Sequence, residues 1–245
     1  MADASPADEI PGPPVAEHRH RDVSGGQARA AVFGASDGLV SNVSLILGVA
    51  GADPGAGVVR LAGLAGLIAG AVSMAAGEYG SMKAQQELLE RELELERIEL
   101  HRNPHVEMVE LAQIYQSRGI DPDMARELAA RLMSDPDRAL ETHAREELGI
   151  DPSALGSPVG AAVYSFISFS LGALLPLLPW FFAEGTAAIV GSVVLGLLGA
   201  ASVGLALAVF TGGSAVRLVA RYTGIAAASA ALTYAIGRAV GVGTG

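Results

Sequence analysis

The sequence predicts an all-α membrane protein: five transmembrane helices, with a cytoplasmic helical domain inserted between the second and the third. Three observations predict it. The chain is 51% hydrophobic but only 5% aromatic, with mean hydropathy +0.40, and its Ala, Leu, Val and Ile fall into long blocks rather than alternating strands. Its formal charge of −10 is uneven, because most of the acids lie within 83–152 and the blocks on either side carry almost no charge. Within that acidic stretch the dipeptides Asn103-Pro104, Asp121-Pro122 and Asp135-Pro136 mark helix starts.

The elements follow in order. Residues 1–26 are mildly acidic and rich in Pro and Ala, without a basic start, an apolar core and a cleavage site; they read as a disordered cytoplasmic tail. Span one runs from about Gln27 to Ala50 and contains Asp37. The stretch is long enough for a hydrocarbon core of roughly 30 Å at about 1.5 Å per residue. A turn at Asp53-Pro54-Gly55 leads to span two, Val58 to Met82, where Gly66 and Gly70 form a GxxxG that permits close helix approach. The helix continues into the glutamate-rich run Gln85 to Leu100, with only Gly80 to loosen it. Domain boundaries are therefore 27–82 for spans one and two, 83–152 for the acidic domain, and 153–245 for spans three to five.

Inside the acidic domain, the long helix to about Arg102 is followed by short helices to Gln116, Met133 and Leu148. Span three opens near Gly160 and runs to about Pro179, with Pro176 and Pro179 bending or ending it. Span four covers Thr186 to Phe210, Gly212-Gly213 breaks the helix, and span five covers Val216 to Val240. With the N-terminus inside, Arg19, Arg21, Arg29, Lys83, Arg217 and Arg221 face the cytoplasm, and only Arg60 and Arg238 lie near outer ends. The acidic domain is then cytoplasmic and the C-terminus outside. Arginine far outnumbers the single lysine, and Ala and Gly abound, as in GC-rich bacterial genomes, so the expected location is a bacterial plasma membrane.

Composition also excludes classes. Without cysteine there is no disulfide, thiolate site or Cys nucleophile. An acidic domain repels nucleic acid and attracts cations. No paired nucleophile and base, phosphate loop or HExxH is present, so an enzyme is not expected, nor is a permanently bound cofactor.

The candidate chemistry lies in two places. A carboxylate within a span costs several kcal/mol on insertion scales and calls for a partner, an ion or a proton path, which singles out Asp37. Counted from the cytoplasmic ends, Asp37 on span one and Met74 on span two both lie about 12 Å deep, with Glu78 about one turn nearer the cytoplasm. Carboxylate oxygen beside a thioether suits a borderline divalent transition metal better than Mg²⁺ or Ca²⁺. The plainer reading makes Asp37 a satisfied polar residue beside Ser36 and Asn42, Met74 packing, and Glu78 a helix-end charge. Gly34 and Gly38 fit helix contact or room for an ion.

The second place is the acidic domain. At about 100° per residue, Leu89, Leu93 and Leu100 form one apolar strip, Leu88 and Leu95 another, and Glu92, Glu96 and Glu99 lie between them. Glu107 and Glu110 share a face with Leu111 and Ile114, and His143 and Glu147 share one with Leu140 and Ala144. Charge runs are commonly solvated faces. Carboxylates on three inward faces instead repel one another and need cations or protons, so Glu96, Glu99, Glu107, Glu110 and Glu147 are candidate metal ligands. His101, His105, Met108 and Met133 are possible additions.

These residues resemble the vacuolar iron transporter family of Fe²⁺/Mn²⁺ transporters. The matches are Phe33-Gly34-Ala35-Ser36-Asp37-Gly38, Ser73-Met74-Ala75-Ala76-Gly77-Glu78-Tyr79, Glu146-Glu147-Leu148-Gly149 and the paired spacing of Glu96/Glu99 and Glu107/Glu110. The resemblance covers about Gln27 to Val240. It implies a five-span homodimer in membrane lipid, with Asp37 and Met74 lining the ion path and Glu78 near its cytoplasmic mouth. It also implies proton-coupled export of Fe²⁺ from the cytosol, the domain glutamates collecting the metal. Where the family can carry a Met and a Glu one turn before the last glutamate, this chain has His143-Ala144, which leaves open whether Glu146 or Glu147 is the ligand and bears on metal preference.

The expected function is therefore transport of Fe²⁺ or Mn²⁺ out of the cytosol by proton antiport. The rival is a membrane-anchored metal sensor or scaffold whose acidic helices bind ions while the spans only dimerise. Asp37 separates the two, because an anchor needs no charge in its span.

Overall fold

A computed structural model describes residues 26–149, 151 and 156–243. Eight α-helices follow in order: α1 (Gly26–Gly51), α2 (Ala56–Arg102), α3 (Pro104–Ser117), α4 (Pro122–Leu132), α5 (Pro136–Glu146), α6 (Pro158–Leu177), α7 (Gly185–Thr211) and α8 (Ala215–Gly243). A 3₁₀ turn, Leu178–Phe181, prolongs α6. The tail expected over 1–26 falls outside the described residues apart from Gly26.

Among the described residues, four helices are long and apolar enough to cross a membrane: α1, α2, α6 with its 3₁₀ turn, and α7. The expected fifth span, α8, is a helix of 29 residues, but Arg217, Arg221 and Arg238 and its many small residues lower its mean hydropathy. It packs along α1 and α7. The spans carry exposed Leu61, Ile68, Val72, Ile167, Leu171, Leu198, Leu205 and Val209. So much uncovered apolar surface suits lipid and would be untenable in water. The chain is a membrane protein.

At the centre stands α1, packed against α6, α8, α2 and α7. Its approach to α6 is set by glycines. A Cβ on Gly34 would meet the Ser168 hydroxyl and the Ser165 carbonyl, one on Gly38 the Phe169 carbonyl, and one on Gly172 the Ala35 carbonyl. Backbone thus lies on backbone, and Gly34 and Gly38 serve helix contact. The GxxxG of α2 is used inside the chain too. Gly66 faces Leu45 and Asn42 of α1, and Gly70 faces the Phe169 ring of α6. At the far end, Ile46, Ala50, Val59, Leu177, Trp180 and Ala188 form an apolar cluster. There the Trp180 indole donates to Ser192 Oγ at 2.9 Å, and Ser192 in turn donates to the Pro176 carbonyl at 2.6 Å. Pro176 lies inside α6 without ending it; the helix tightens into the 3₁₀ turn two residues later.

Unbroken from Ala56 to Arg102, α2 is 47 residues long. That is about 70 Å, more than twice a hydrocarbon core. Gly80 does not interrupt it. Its acidic half carries α3 and α5, with α4 packed on α3. Two of the three Asx-Pro starts are side-chain caps: Asp121 accepts from the N–H groups of Asp123 and Met124, and Asp135 from those of Asp137 and Arg138. Asn103 makes no such bond, since it forms the corner between α2 and α3 and gives its backbone N–H to the Glu99 carbonyl. Leu111, Ala112, Tyr115, Ala125 and Ala129 form the small core of this half. Leu88 and Leu95, the second apolar strip of the helical reading, remain 57% and 47% exposed.

Candidate metal centre

Three helices of the acidic half deliver one compact group. Glu96 comes from α2, Glu107 from the first turn of α3, His143 from the last turn of α5, and Glu147 from the residue that caps α5. One side-chain ligand atom from each lies within 4.8 Å of all the others. His143 Nδ1 is 3.1 Å from Glu96 Oε1, 3.3 Å from Glu147 Oε2 and 3.9 Å from Glu107 Oε2. Glu96, Glu107 and His143 are buried, at 7%, 3% and 0% exposure, and Glu147 forms the open side.

Burial and crowding raise the carboxyls. Desolvation, with the charges of Glu147, Glu107 and Glu99 behind it, pushes Glu96 up to about 7 against the pull of His143. Glu107 is raised by burial first and then by Glu110. Glu96 Oε1 is buried without a hydrogen-bond partner, as is His143 Nε2. Buried carboxylates that repel one another around a single imidazole nitrogen form a cation-seeking arrangement.

The other candidates fall around this group. Glu99 and Glu110 are exposed, at its rim, and act on it through their charge. Of the two glutamates left open by the sequence, Glu147 faces the group, while Glu146 pairs with Arg118. His101 and His105 are exposed, and Met108 and Met133 pack against the apolar core between α3 and α4.

A second candidate site lies between α1, α2 and α6. Asp37 and Met74 line one pocket of about 310 Å³, together with Asn42, Gly66, Gly70 and Ser73. Glu78, one turn beyond Met74, is half-buried and engaged in an interaction of its own, and does not line the pocket. Asn42 is the residue that sequence reasoning passed over as a candidate ligand. Its amide nitrogen donates to the Ala173 carbonyl at 2.7 Å, which fixes the side chain's orientation, and its Oδ1 is buried without a partner. An amide within an apolar run was the available signal, because polar groups there face the bundle or a cavity. The pocket so offers carboxylate, amide and thioether, a donor set for a cation.

Long apolar helices around a polar pocket, one of them running on into buried carboxylates, define a helical membrane protein with two candidate cation sites. Residues 28–238 match the VIT family, and the chain belongs to it. It is 41% identical over 168 residues to a vacuolar iron transporter of Acanthamoeba castellanii, covering 68% of this chain and 60% of that protein. It is 30% identical over 226 residues to vacuolar iron transporter 1 of Eucalyptus grandis, covering 91% of each. With vacuolar iron transporter 1 of Arabidopsis thaliana it shares 30% over 225 residues, 91% of this chain and 90% of that one. These relatives are named as transporters, not as enzymes.

Proposed function

We propose that the chain carries a divalent transition metal, Fe²⁺ or Mn²⁺, out of the cytosol by proton antiport. The observation that carries this reading is one continuous helix, α2, supplying both Glu96 to the buried carboxylate group and Met74 to the pocket that holds Asp37. The relatives' names favour iron as cargo. In this reading α8 is the fifth span, residues 83–152 and the N-terminus lie in the cytosol, and the C-terminus lies outside. Glu96, Glu107 and Glu147, with Glu99 and Glu110 at the rim, collect the metal. It passes by Glu78 to Asp37 and Met74, with Asn42 as a further oxygen donor, and is released on the other side. Only 17% of the apolar window of α2 is buried within the chain, against 39% for α1, and this supports pairing of two copies over the α2 side.

Proton coupling has a chemical basis in the same residues. Burial and mutual repulsion push Glu96 up to about 7 and raise Glu107 in the same direction, so an arriving cation displaces protons from these carboxyls and its departure lets them return. The test is metal flux in proteoliposomes with and without a pH gradient. Transport that responds to the gradient and is lost in Asp37→Ala is expected. A variant that carries metal as fast as its parent overturns the reading and favours the sensor or scaffold.

A further inference from the structure

His143 is fully buried, and the carboxylates of Glu96, Glu107 and Glu147 surround one edge of its ring. A histidine kept for a simple ion pair needs one carboxylate. Here three converge on Nδ1, while Nε2 is left without a partner and so no hydrogen bond on the far side explains the ring. His143 and Glu147 are four residues apart, one helical turn, so α5 presents both to the same space. Buried Ala139 and Ala144 flank the histidine on α5.

The spacing is that of ligands about one ion. Donors at about 2.0–2.2 Å from a metal stand roughly 2.8 to 3.6 Å apart when they are neighbours in octahedral and tetrahedral arrangements. The distances from Nδ1 to Glu96 and Glu147, 3.1 and 3.3 Å, are of that size, and Glu107, at 3.9 Å, stands a few tenths of an ångström outside it. Glu96 Oε1, buried without a hydrogen-bond partner, is aimed into the same space.

We propose that His143 Nδ1 is a direct nitrogen ligand of the metal gathered by Glu96, Glu107 and Glu147, making this a mixed nitrogen and oxygen site that favours Fe²⁺, Co²⁺ and Zn²⁺ over Mn²⁺. The proposal rests on the reading of the carboxylate group as a metal site. Its chemistry is the preference of imidazole for the later first-row cations, where carboxylate and water alone suit Mn²⁺, Mg²⁺ and Ca²⁺. The histidine thereby sets which cation the domain retains, beyond the charge that attracts any of them.

The experiment uses the full chain in detergent and three probes, Mn²⁺, Co²⁺ and Zn²⁺. Affinities are measured for the parent, His143→Gln and the double variant Glu96→Gln/Glu107→Gln, and Mn²⁺-loaded samples are examined by pulsed EPR for coupling to imidazole nitrogen. The parent is expected to show that coupling, and the double variant to lose it together with tight binding. His143→Gln is expected to lose at least about tenfold in Co²⁺ and Zn²⁺ affinity while Mn²⁺ changes by less than about threefold. Carboxylate-dependent Mn²⁺ binding without nitrogen coupling overturns the ligand role of His143 and leaves the metal-site reading standing. A nitrogen signal that persists in His143→Gln arises elsewhere and also overturns it. Unchanged binding of all three metals by the double variant overturns both. Should His143→Gln fail to fold, the EPR comparison between parent and double variant decides alone.

Discussion

Glu96 occupies surroundings that penalise its own charge. With its carboxyl pushed from 4.5 up to about 7 in the fold, the folded chain holds a proton between those pH values that the unfolded chain has released. Metal-free stability from this group is therefore full below about 4.5 and falls as pH rises through about 7, and Glu107 acts in the same direction. Thermal unfolding with chelator is expected to show a lower midpoint at pH 8 than at pH 5.5, a difference that shrinks in Glu96→Gln and is offset by Mn²⁺. A difference of the same size in the variant would remove Glu96 as its cause. Glu146 and Glu147 part company equally clearly. Glu147→Gln is expected to weaken Mn²⁺ binding by about tenfold, by loss of one ligand charge, whereas Glu146→Gln leaves binding intact and loosens α5 from Arg118; calorimetric titration with unfolding curves separates them. Helical angles alone aimed Glu96, Glu107, His143 and Glu147 inward. They could not tell the buried pair Glu96 and Glu107 from the rim residues Glu99 and Glu110, because an angle gives direction and not depth. Nor could they assign Glu146, whose partner Arg118 lies 28 residues away in the chain.

At the scale of helices, most boundaries were legible because the punctuation is chemical. The Asx-Pro starts, Gly212 with its left-handed φ of 71° after α7, and the hydrophobic lengths all have local causes. What was not legible is how the helices meet. The crossing of α1 and α6 depends on Gly34 and Gly38 lying against Ser165, Ser168 and Phe169 while Gly172 lies against Ala35 and Leu39, a match between segments over 130 residues apart that no local pattern contains. It yields a prediction specific to that crossing. A Cβ at Gly38 would collide with the Phe169 backbone, which cannot rotate away as a side chain could. Gly38→Ala is therefore expected to destabilise the chain by about 1–3 kcal/mol, the range of overpacked sites. Gly77→Ala, with open space around it on α2, should be neutral or slightly stabilising by helix propensity. Unfolding curves of both in one detergent are the check, and equal midpoints would mean that the close crossing is not a source of stability.

For the whole molecule, the question is how two sites on one helix divide the work. Glu96 and Met74 are 22 residues apart on α2, about 33 Å along its axis, so neither can touch an ion held by the other. In the proposed transport the two groups therefore act in succession, not as a single site, and the two ends should fail differently. In that reading, loss of the carboxylate group lowers the local supply of metal without altering the pocket between the spans. Glu96→Gln/Glu107→Gln is therefore expected to raise the KM for flux, with the maximal rate approached again at high metal concentration. Asp37→Asn changes the only described carboxylate lining the pocket and is expected to lower the maximal rate at every concentration, while binding by the acidic half stays as in the parent. Glu78 lies between the two, one turn from Met74, and its neutralisation should act on rate more than on KM if ions pass it singly. These patterns are read from flux against metal concentration in proteoliposomes, with binding measured on the same preparations. If the double glutamate variant instead loses maximal rate that no concentration restores, the acidic half gates the pocket rather than feeding it, and α2, continuous and without a hinge at Gly80, is then the element through which that gating acts.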